Sequence, residues 1–448
     1  MTGPTPDRYP IPLDFRQHTI QRIMQCVQNG ECCAVVGVGS VGKSNLLRHL
    51  IREDVIQHYL GQNAQQTLFL NLDANALVER SAWGFYELML HRVLQTAETL
   101  DPAWRARLEP LYERAISDED KRLTRRYLER MVSALRGAPH HYRLVFLMDE
   151  FDAVFRSVEA PLFSGLRALR DDHKYNLVYL VSGREELSQV HEVEGPHEAF
   201  YELVYLNTIG LGPYGEKDAR HMITRLASRL DRRLDEDTTR AILAATQAHP
   251  GLIRAATWAV LDGRVAPKKG DLGRQLLSDR NTRDEYHKIW EGLSEQEQST
   301  LHEIARGGPW IDVNERSFKF LELKKIVGQE GGRPRIFSDY FATYVRDYAR
   351  IPRLRINWHQ KIVRRGPDLV KDILPQDFDV LAYLYQNRDR VCKRQEIINM
   401  VWKEEAIAAT YQKLQATIGR LRRKIEPDPR KPVYLITHGD EGCQLENC

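Results

Sequence analysis

The sequence predicts an α/β fold: a doubly wound parallel sheet in the first half, followed by helical segments that close in a short β hairpin. Three observations carry this. Residues 37–44 read Gly-Val-Gly-Ser-Val-Gly-Lys-Ser, the pattern GxxxxGK[ST], placed between an apolar run (Cys32 to Val36) and a helical pattern (Asn45 to Leu50). Further apolar runs alternate with amphipathic stretches, as strands covered by helices on both faces require. Beyond residue 367, a helix rich in cations precedes two short strand-like runs.

The loop at Gly37 is the first functional element. Its glycines let backbone N–H groups turn inward around phosphate oxygens, and the helix start adds its positive dipole end. Gly37, Gly39, Ser40, Val41, Gly42, Lys43, Ser44 and Asn45 are the candidate phosphate-binding residues. Lys43 is expected to reach the β- and γ-phosphates of ATP or GTP, and Ser44 to ligate Mg²⁺. A second strand follows at Thr67 to Asp73, then a charged helical stretch from about Ala82 to Arg136. The run Arg143 to Met148 ends in Asp149-Glu150. A buried strand delivering two acids beside a phosphate loop suits metal and water handling: Asp149 for Mg²⁺, usually through water, and Glu150 to polarise the attacking water. A helix carrying Leu162 to Arg170 leads to the strand Leu177 to Arg184. Ser182 or Arg184, at its carboxyl end, is placed to sense a γ-phosphate; the alternative for Arg184 is a surface residue in a turn. Arg167 and Arg170 are candidates, by position, for an arginine completing a neighbouring site.

Composition sets bounds. A chain of 448 residues suggests two to four domains, and an apolar fraction of 42% is ample for a core. Net charge is only +3, so a nucleic-acid surface has to be local. Six cysteines show no paired metal-ligand spacing, which fits a reduced, cytoplasmic compartment. Met1 to Pro12 is polar, and no apolar run reaches membrane-spanning length, so no membrane partner is expected. No repeat period is found.

The phosphate loop, the strand ending Asp149-Glu150-Phe151-Asp152 and the strand ending in Arg184 together resemble the STAND ATPases and the related archaeal-type and origin-recognition AAA+ ATPases. The resemblance implies a P-loop ATPase core at 1–212, with Glu150, Lys43 and Arg184 in catalysis and slow, regulatory turnover of ATP. It extends to Leu211-Gly212-Pro213-Tyr214, similar to the family's Gly-x-Pro element, in which Pro213 would contact adenine. His249-Pro250-Gly251 resembles the turn opening the last helix of a helical lid, here 213–283, with Arg254 as a second sensor. Where the families carry Gly-Arg-x-x-Glu to bracket the base, this chain has Leu13-Asp14-Phe15-Arg16-Gln17, and only Arg16 matches. Residues 284–350 look like the winged-helix domain that follows the lid in STAND proteins. Homo-oligomerisation in the ATP-bound form and a protein partner as trigger are implied in the same way.

Residues 351–366, with Arg353, Arg355, Lys361, Arg364 and Arg365, read as a basic linker with a first strand. Residues 367–448 resemble the winged-helix DNA-binding domain of OmpR/PhoB-type response regulators, most strongly from Ile418 to Pro429. The turn His438 to Gly442 is acidic for a wing of that family. In the third helix, about Thr410 to Ile425, Leu414, Ile418, Leu421 and Ile425 keep helical spacing and face a core. The opposite face carries Gln412, Lys413, Gln415, Thr417, Arg420, Arg422 and Arg423, the candidate contacts to double-stranded DNA. Three functions follow: an ATP-dependent DNA-binding regulatory switch, a DNA-remodelling or loading ATPase, and an ATP-gated protein-interaction scaffold.

Overall fold

Five parallel strands form the central sheet, in the order β2-β3-β4-β1-β5. The computed structural model describes residues 10–117, 123–137, 141–267, 270–307, 314–349, 352, 354–365, 368–388, 390–402, 407–439, 441–446 and 448, with the backbone alone at 407–410. The chain divides into two units, Met1–Thr343 and Tyr344–Cys448. Arg353 and the acidic Asp440 of the expected wing lie outside the described residues.

In the first unit, α1 (Gln17–Asn29) precedes β1 (Cys33–Val36), whose four residues are all buried. The phosphate loop leads into α2 (Lys43–Leu50) and α3 (Glu53–Leu60), then β2 (Thr67–Asp73). The helical stretch before β3 (Arg143–Asp149) forms α4 (Ala82–Leu100), α5 (Ala103–Ser117) and α6 (Thr124–Arg136). Ser81 caps α4 by accepting from Gly84 N–H at 3.2 Å, and Asp101-Pro102 separates α4 from α5. The order continues with α7 (Phe151–Ser157), α8 (Pro161–Asp172), β4 (Leu177–Gly183), α9 (Leu187–Val190), α10 (Gly195–Tyr201) and β5 (Thr208–Gly210). Every residue of β4 is buried, as a strand covered on both faces must be. Register places Asp73 opposite Asp149 and Val36 opposite both Gly183 and Gly210, so the carboxyl ends share one edge. Under that edge Phe151, Phe155, Phe163 and Phe200 pack ring to ring, with Phe155 and Phe163 centroids 4.8 Å apart. Full burial of each such ring is worth about 3 kcal/mol, and it anchors the helix that follows the two acids.

Five helices come next: α11 (Glu216–Ser228), α12 (Glu236–Thr246), α13 (Pro250–Leu261), α14 (Leu272–Ser278) and α15 (Arg280–Glu291). Asp235, Asp271 and Asp279 cap α12, α14 and α15 through their side chains. The unit goes on with α16 (Glu295–Arg306), α17 (Glu315–Leu323) and the hairpin β6 (Val327–Glu330) and β7 (Arg333–Ile336), and α18 (Asp339–Asp347) runs across its end at Thr343. Gly331 and Gly332 both have positive φ, which a two-residue hairpin turn requires. Lys324 and Glu297 are fully buried with Nζ 2.7 Å from Oε1, while Glu297 also closes the capping box of α16 with Ser294.

Past α18, the second unit continues with β8 (Leu354–Asn357), β9 (Ile362–Arg365) and β10 (Asp368–Leu369), an antiparallel sheet. The segment expected to be a basic linker with a first strand is therefore largely sheet. Its alternation explains this: Leu354, Ile356 and Val363 turn inward while the intervening cations face out. Then follow α19 (Pro375–Gln386), β11 (Cys392–Lys393), α20 (Arg394–Trp402), α21 (Ile407–Ile425), β12 (Leu435–His438) and β13 (Gly442–Leu445), with sheet order β11-β13-β12. A separate core gathers Leu381, Leu384, Ile397, Leu414, Leu421, Ile425, Tyr434 and Leu445. All six cysteines are buried and none forms a disulfide. Among the described residues, no helix is long and apolar enough to cross a membrane, and no His/Cys/Asp/Glu group could hold a metal ion through protein side chains alone.

Candidate functional site

The phosphate loop is braced from several sides. Gly37 N–H donates to Gly183 O at 3.2 Å, which ties the loop to the end of β4. A Cβ on Gly37 would lie 2.8 Å from Leu211 O, and one on Gly39 would lie 2.6 Å from Lys288 O. Gly42, at φ 96°, sets the left-handed turn from which α2 starts. Ser40 is also left-handed, at φ 59°. Val41 is buried, and Ser44 and Asn45 are exposed at the start of α2. Asn45 Oδ1 accepts from Arg48 at 2.7 Å. Lys43 is only 6% exposed, and its Nζ donates to Gly37 O (2.8 Å) and Val38 O (3.3 Å). Burial pushes its pKa down, while the charges of Glu150 and Asp152 oppose that shift.

The acids converge on the same edge. Asp149 Oδ1 accepts from Ser182 Oγ at 2.5 Å and from Glu150 N–H at 3.0 Å. Glu150 is left-handed (φ 54°) at the start of α7; burial raises its pKa, with Lys43 and Arg184 pulling the other way. Arg184 lies just past β4, its side chain 48% exposed and Nε 3.7 Å from Glu150 Oε2. Asp152, which sequence reasoning gave no role, is buried; its Oδ2 accepts from the N–H groups of Arg184 and Glu185. Its Oδ1 is buried without a partner beside Gly183. The signal was its place in Asp149-Glu150-Phe151-Asp152, three residues after Asp149 on the next helix.

Arg16 is packed between the phosphate loop and the Leu211–Tyr214 run. It donates to Val41 O (2.8 Å) and Gly212 O (3.0 Å), lies over the Tyr214 ring at 4.5 Å, and its N–H binds Asp218. Burial lowers its pKa to about 10. It thus clamps the phosphate loop to the Leu211–Tyr214 run. Pro213 is half-buried in that run; the closer neighbours of the loop are Leu211 and Tyr214, whose hydroxyl would lie 3.4 Å from a Cβ on Gly42. His249 and Pro250 open α13 beside the loop. Arg254, on α13, pairs with Glu285 of α15 at 3.0 Å. Neither candidate for a donated arginine stands open: Arg170 is buried and donates to Gly30 O, and Arg167 binds Asp171, Glu202 and Ala199 O.

In the second unit, α21 begins at Ile407, earlier than its pattern suggested. Leu414, Leu421 and Ile425 are in the core and Ile418 is partly buried against it. Gln412, Lys413, Gln415 and Arg423 lie on the exposed side. One expected contact, Thr417, is corrected by its burial, and two more, Arg420 and Arg422, are held by acceptors of the protein itself. Thr417 is 1% exposed and accepts from Arg420 at 2.8 Å. Arg420 makes a two-pronged pair with buried Asp377 (2.6 and 2.9 Å), tying α21 to the first turn of α19. Arg422 donates to Leu435 O and Thr437 Oγ1, tying α21 to β12. The physical reason is shared: long guanidinium stems reach carbonyl and carboxylate acceptors that neighbouring elements bury, and spacing along one helix does not reveal those acceptors. Glu426, also buried, accepts from Val433, Tyr434 and Leu435 N–H and fixes the approach to the hairpin.

Residues 12–181 match the family described as AAA ATPase domain, and residues 371–445 match transcriptional regulatory protein, C terminal. Among curated proteins, the chain is 40% identical over 72 residues to the sensory transduction protein RegX3 of Mycobacterium leprae (strain TN), covering 16% of this chain and 36% of RegX3. It is 32% identical over 77 residues to the KDP operon transcriptional regulatory protein KdpE of Escherichia coli (strain K12), covering 17% of this chain and 33% of KdpE. The chain thus spans about a third of the length of these relatives. Among solved structures, the Walker-type ATPase PABY2304 of Pyrococcus abyssi aligns with a TM-score of 0.49 at 15% identity, over 77% of this chain and 99% of that one. The ORC2 protein of Aeropyrum pernix aligns with a TM-score of 0.43 at 12% identity, over 76% and 96%.

Proposed function

We propose that this chain, which carries an AAA ATPase domain and a C-terminal domain of the OmpR/PhoB regulatory type, is an ATP-dependent DNA-binding regulatory switch. One observation carries the reading: a braced phosphate loop facing an acid-ended strand stands in the same polypeptide as a winged helix with a polar, acid-free exposed face. The site fits a magnesium-bound nucleoside triphosphate. Neighbouring Leu211 and Lys288 leave no room for side chains at Gly37 and Gly39, and a buried carboxylate oxygen of Asp152 lacks a partner near Lys43. A magnesium ion bound there would supply positive charge to offset that of the phosphates. Ser44 and Asp149 would hold it, Asp149 through water. Lys43 would turn from Gly37 O and Val38 O towards the phosphates. Glu150, whose carboxyl is raised by burial, would orient and polarise the attacking water, and Arg184 would register the γ-phosphate. Arg16 would keep the loop in shape rather than read the base.

The bound nucleotide would set the DNA affinity of the regulatory domain and the assembly of subunits, with hydrolysis as the reset. Gln412, Lys413 and Gln415 would meet base edges and Arg423 the phosphate backbone. The test is duplex binding by fluorescence anisotropy over a salt series, with and without ATP, for the wild type, Glu150→Gln and Arg423→Ala. Expected are binding that weakens with salt, an ATP-dependent change prolonged in Glu150→Gln, and a salt slope about one unit shallower for Arg423→Ala. Absence of duplex binding at low salt, or an affinity indifferent to ATP, sinks the reading.

A further inference from the structure

Two acceptor groups of α15 stand against the phosphate loop, although the loop is built to attract anions. The Lys288 carbonyl, in the last turn of α15, lies so near Gly39 that a Cβ there would be 2.6 Å from its oxygen. Carbonyls of a last turn carry the negative end of the helix dipole. One turn earlier, Glu285 reaches the loop's apex: a Cβ on Gly251 would lie 2.6 Å from both Glu285 Oε2 and Ser40 Cβ, which places the carboxylate beside Ser40. Glu285 is 5% exposed; its Oε1 accepts from Lys288 Nζ (2.7 Å) and Arg254 Nη2 (3.0 Å), while its Oε2, on the Ser40 side, is buried without a hydrogen-bond partner. Burial pushes the Glu285 carboxyl up, but Lys288 and Arg254 help hold it net below the usual carboxylate range, so it is charged at neutral pH.

A carboxylate that gathers two cations and sets its second, unpartnered oxygen beside the loop at Ser40 stands where a phosphate group would draw the same cations. We infer that Glu285 is a built-in competitor for the triphosphate: it occupies Arg254 and Lys288 and places its charge against Ser40, and a nucleotide binds fully only when α15 releases them. The inference rests on the nucleotide reading of the loop. It gives that reading a regulatory input, because anything that draws α15 away raises nucleotide affinity. Gly39 allows this approach, since a side chain there would meet the α15 backbone at Lys288 O, and Gly251 leaves room for the Glu285 carboxylate beside Ser40.

The experiment is titration of the full chain with a fluorescent ATP analogue and Mg²⁺, for the wild type, Glu285→Gln, Glu285→Ala and Lys43→Ala, each checked for folding by circular dichroism. Removing the charge while keeping the shape is expected to tighten binding about tenfold, as one like charge fewer near a phosphate implies. Glu285→Ala should act in the same direction, and Lys43→Ala should lose binding. Equal or weaker binding by both Glu285 variants, with Lys43→Ala still inactive, overturns the competitor while leaving the nucleotide site standing. Binding that ignores Lys43→Ala overturns the nucleotide reading itself, and the competitor with it.

Discussion

A single buried imidazole shows how the environment overrides a residue's ordinary chemistry. His249 occupies the position before the first turn of α13, is 1% exposed, and neither ring nitrogen has a hydrogen-bond partner. Its ring packs against Phe337 at 5.9 Å, with the charges of Glu285 and Arg16 facing it. Burial drives its pKa down to about 3, so the folded protein holds it neutral. In the unfolded chain it titrates at about 6.5. Protons therefore bind the unfolded state preferentially between those values, and the stability contributed above pH 6.5 is lost as the pH falls through that window. Urea melts at pH 7 and pH 5 should show the wild type losing about 2 kcal/mol more than His249→Phe at the lower pH. An identical acid sensitivity in the variant would contradict the assignment.

At the scale of elements, α21 is the case where a charged face has structural work. Four of its cations were read from the sequence as surface groups for DNA. Arg420 instead pairs with Asp377, itself 1% exposed, and Arg422 holds the Leu435 carbonyl. Arg420→Ala would leave Asp377 buried and unpaired. Loss of such a partner costs about 3 kcal/mol or more when both groups are buried, and about 2 kcal/mol here because Arg420 is partly screened by solvent. Thermal melting should place Arg420→Ala well below Arg423→Ala, whose guanidinium makes only an exposed local bond to Gly419 O. If the two melt alike, the Arg420–Asp377 bridge is not the tie between α21 and α19. The same logic separates the variants in DNA binding: Arg423→Ala reports on contact, Arg420→Ala on folding.

For the whole molecule, the proposed switch makes a reciprocal demand. If ATP changes duplex affinity by some factor, duplex must change ATP affinity by the same factor, because both arms close one thermodynamic cycle. Nucleotide titrations of the full chain, with and without saturating duplex, should match the factor found in the DNA titrations. Disagreement beyond experimental error would mean that the two measurements report different species, such as a change in assembly between them.

The sequence by itself determined the α/β class and the position of the phosphate loop, because both rest on local signals: apolar runs of strand length, and glycines with a lysine at fixed spacing before a helix. It also announced Asp149 and Glu150, since a strand's carboxyl end is readable from where its apolar run stops. It gave less in the second unit, where periodicity alone put Thr417, Arg420 and Arg422 on an outer face. Only the tertiary structure decided what those residues touch, and that Arg16 clamps the loop, that Asp152 stands beside it, and that Glu285 and Lys288 lie against Gly39 and Ser40. The reason is physical. A helix or a phosphate loop is specified by neighbours a few residues away, whereas the partner of a buried charge is chosen by which distant element packs nearest.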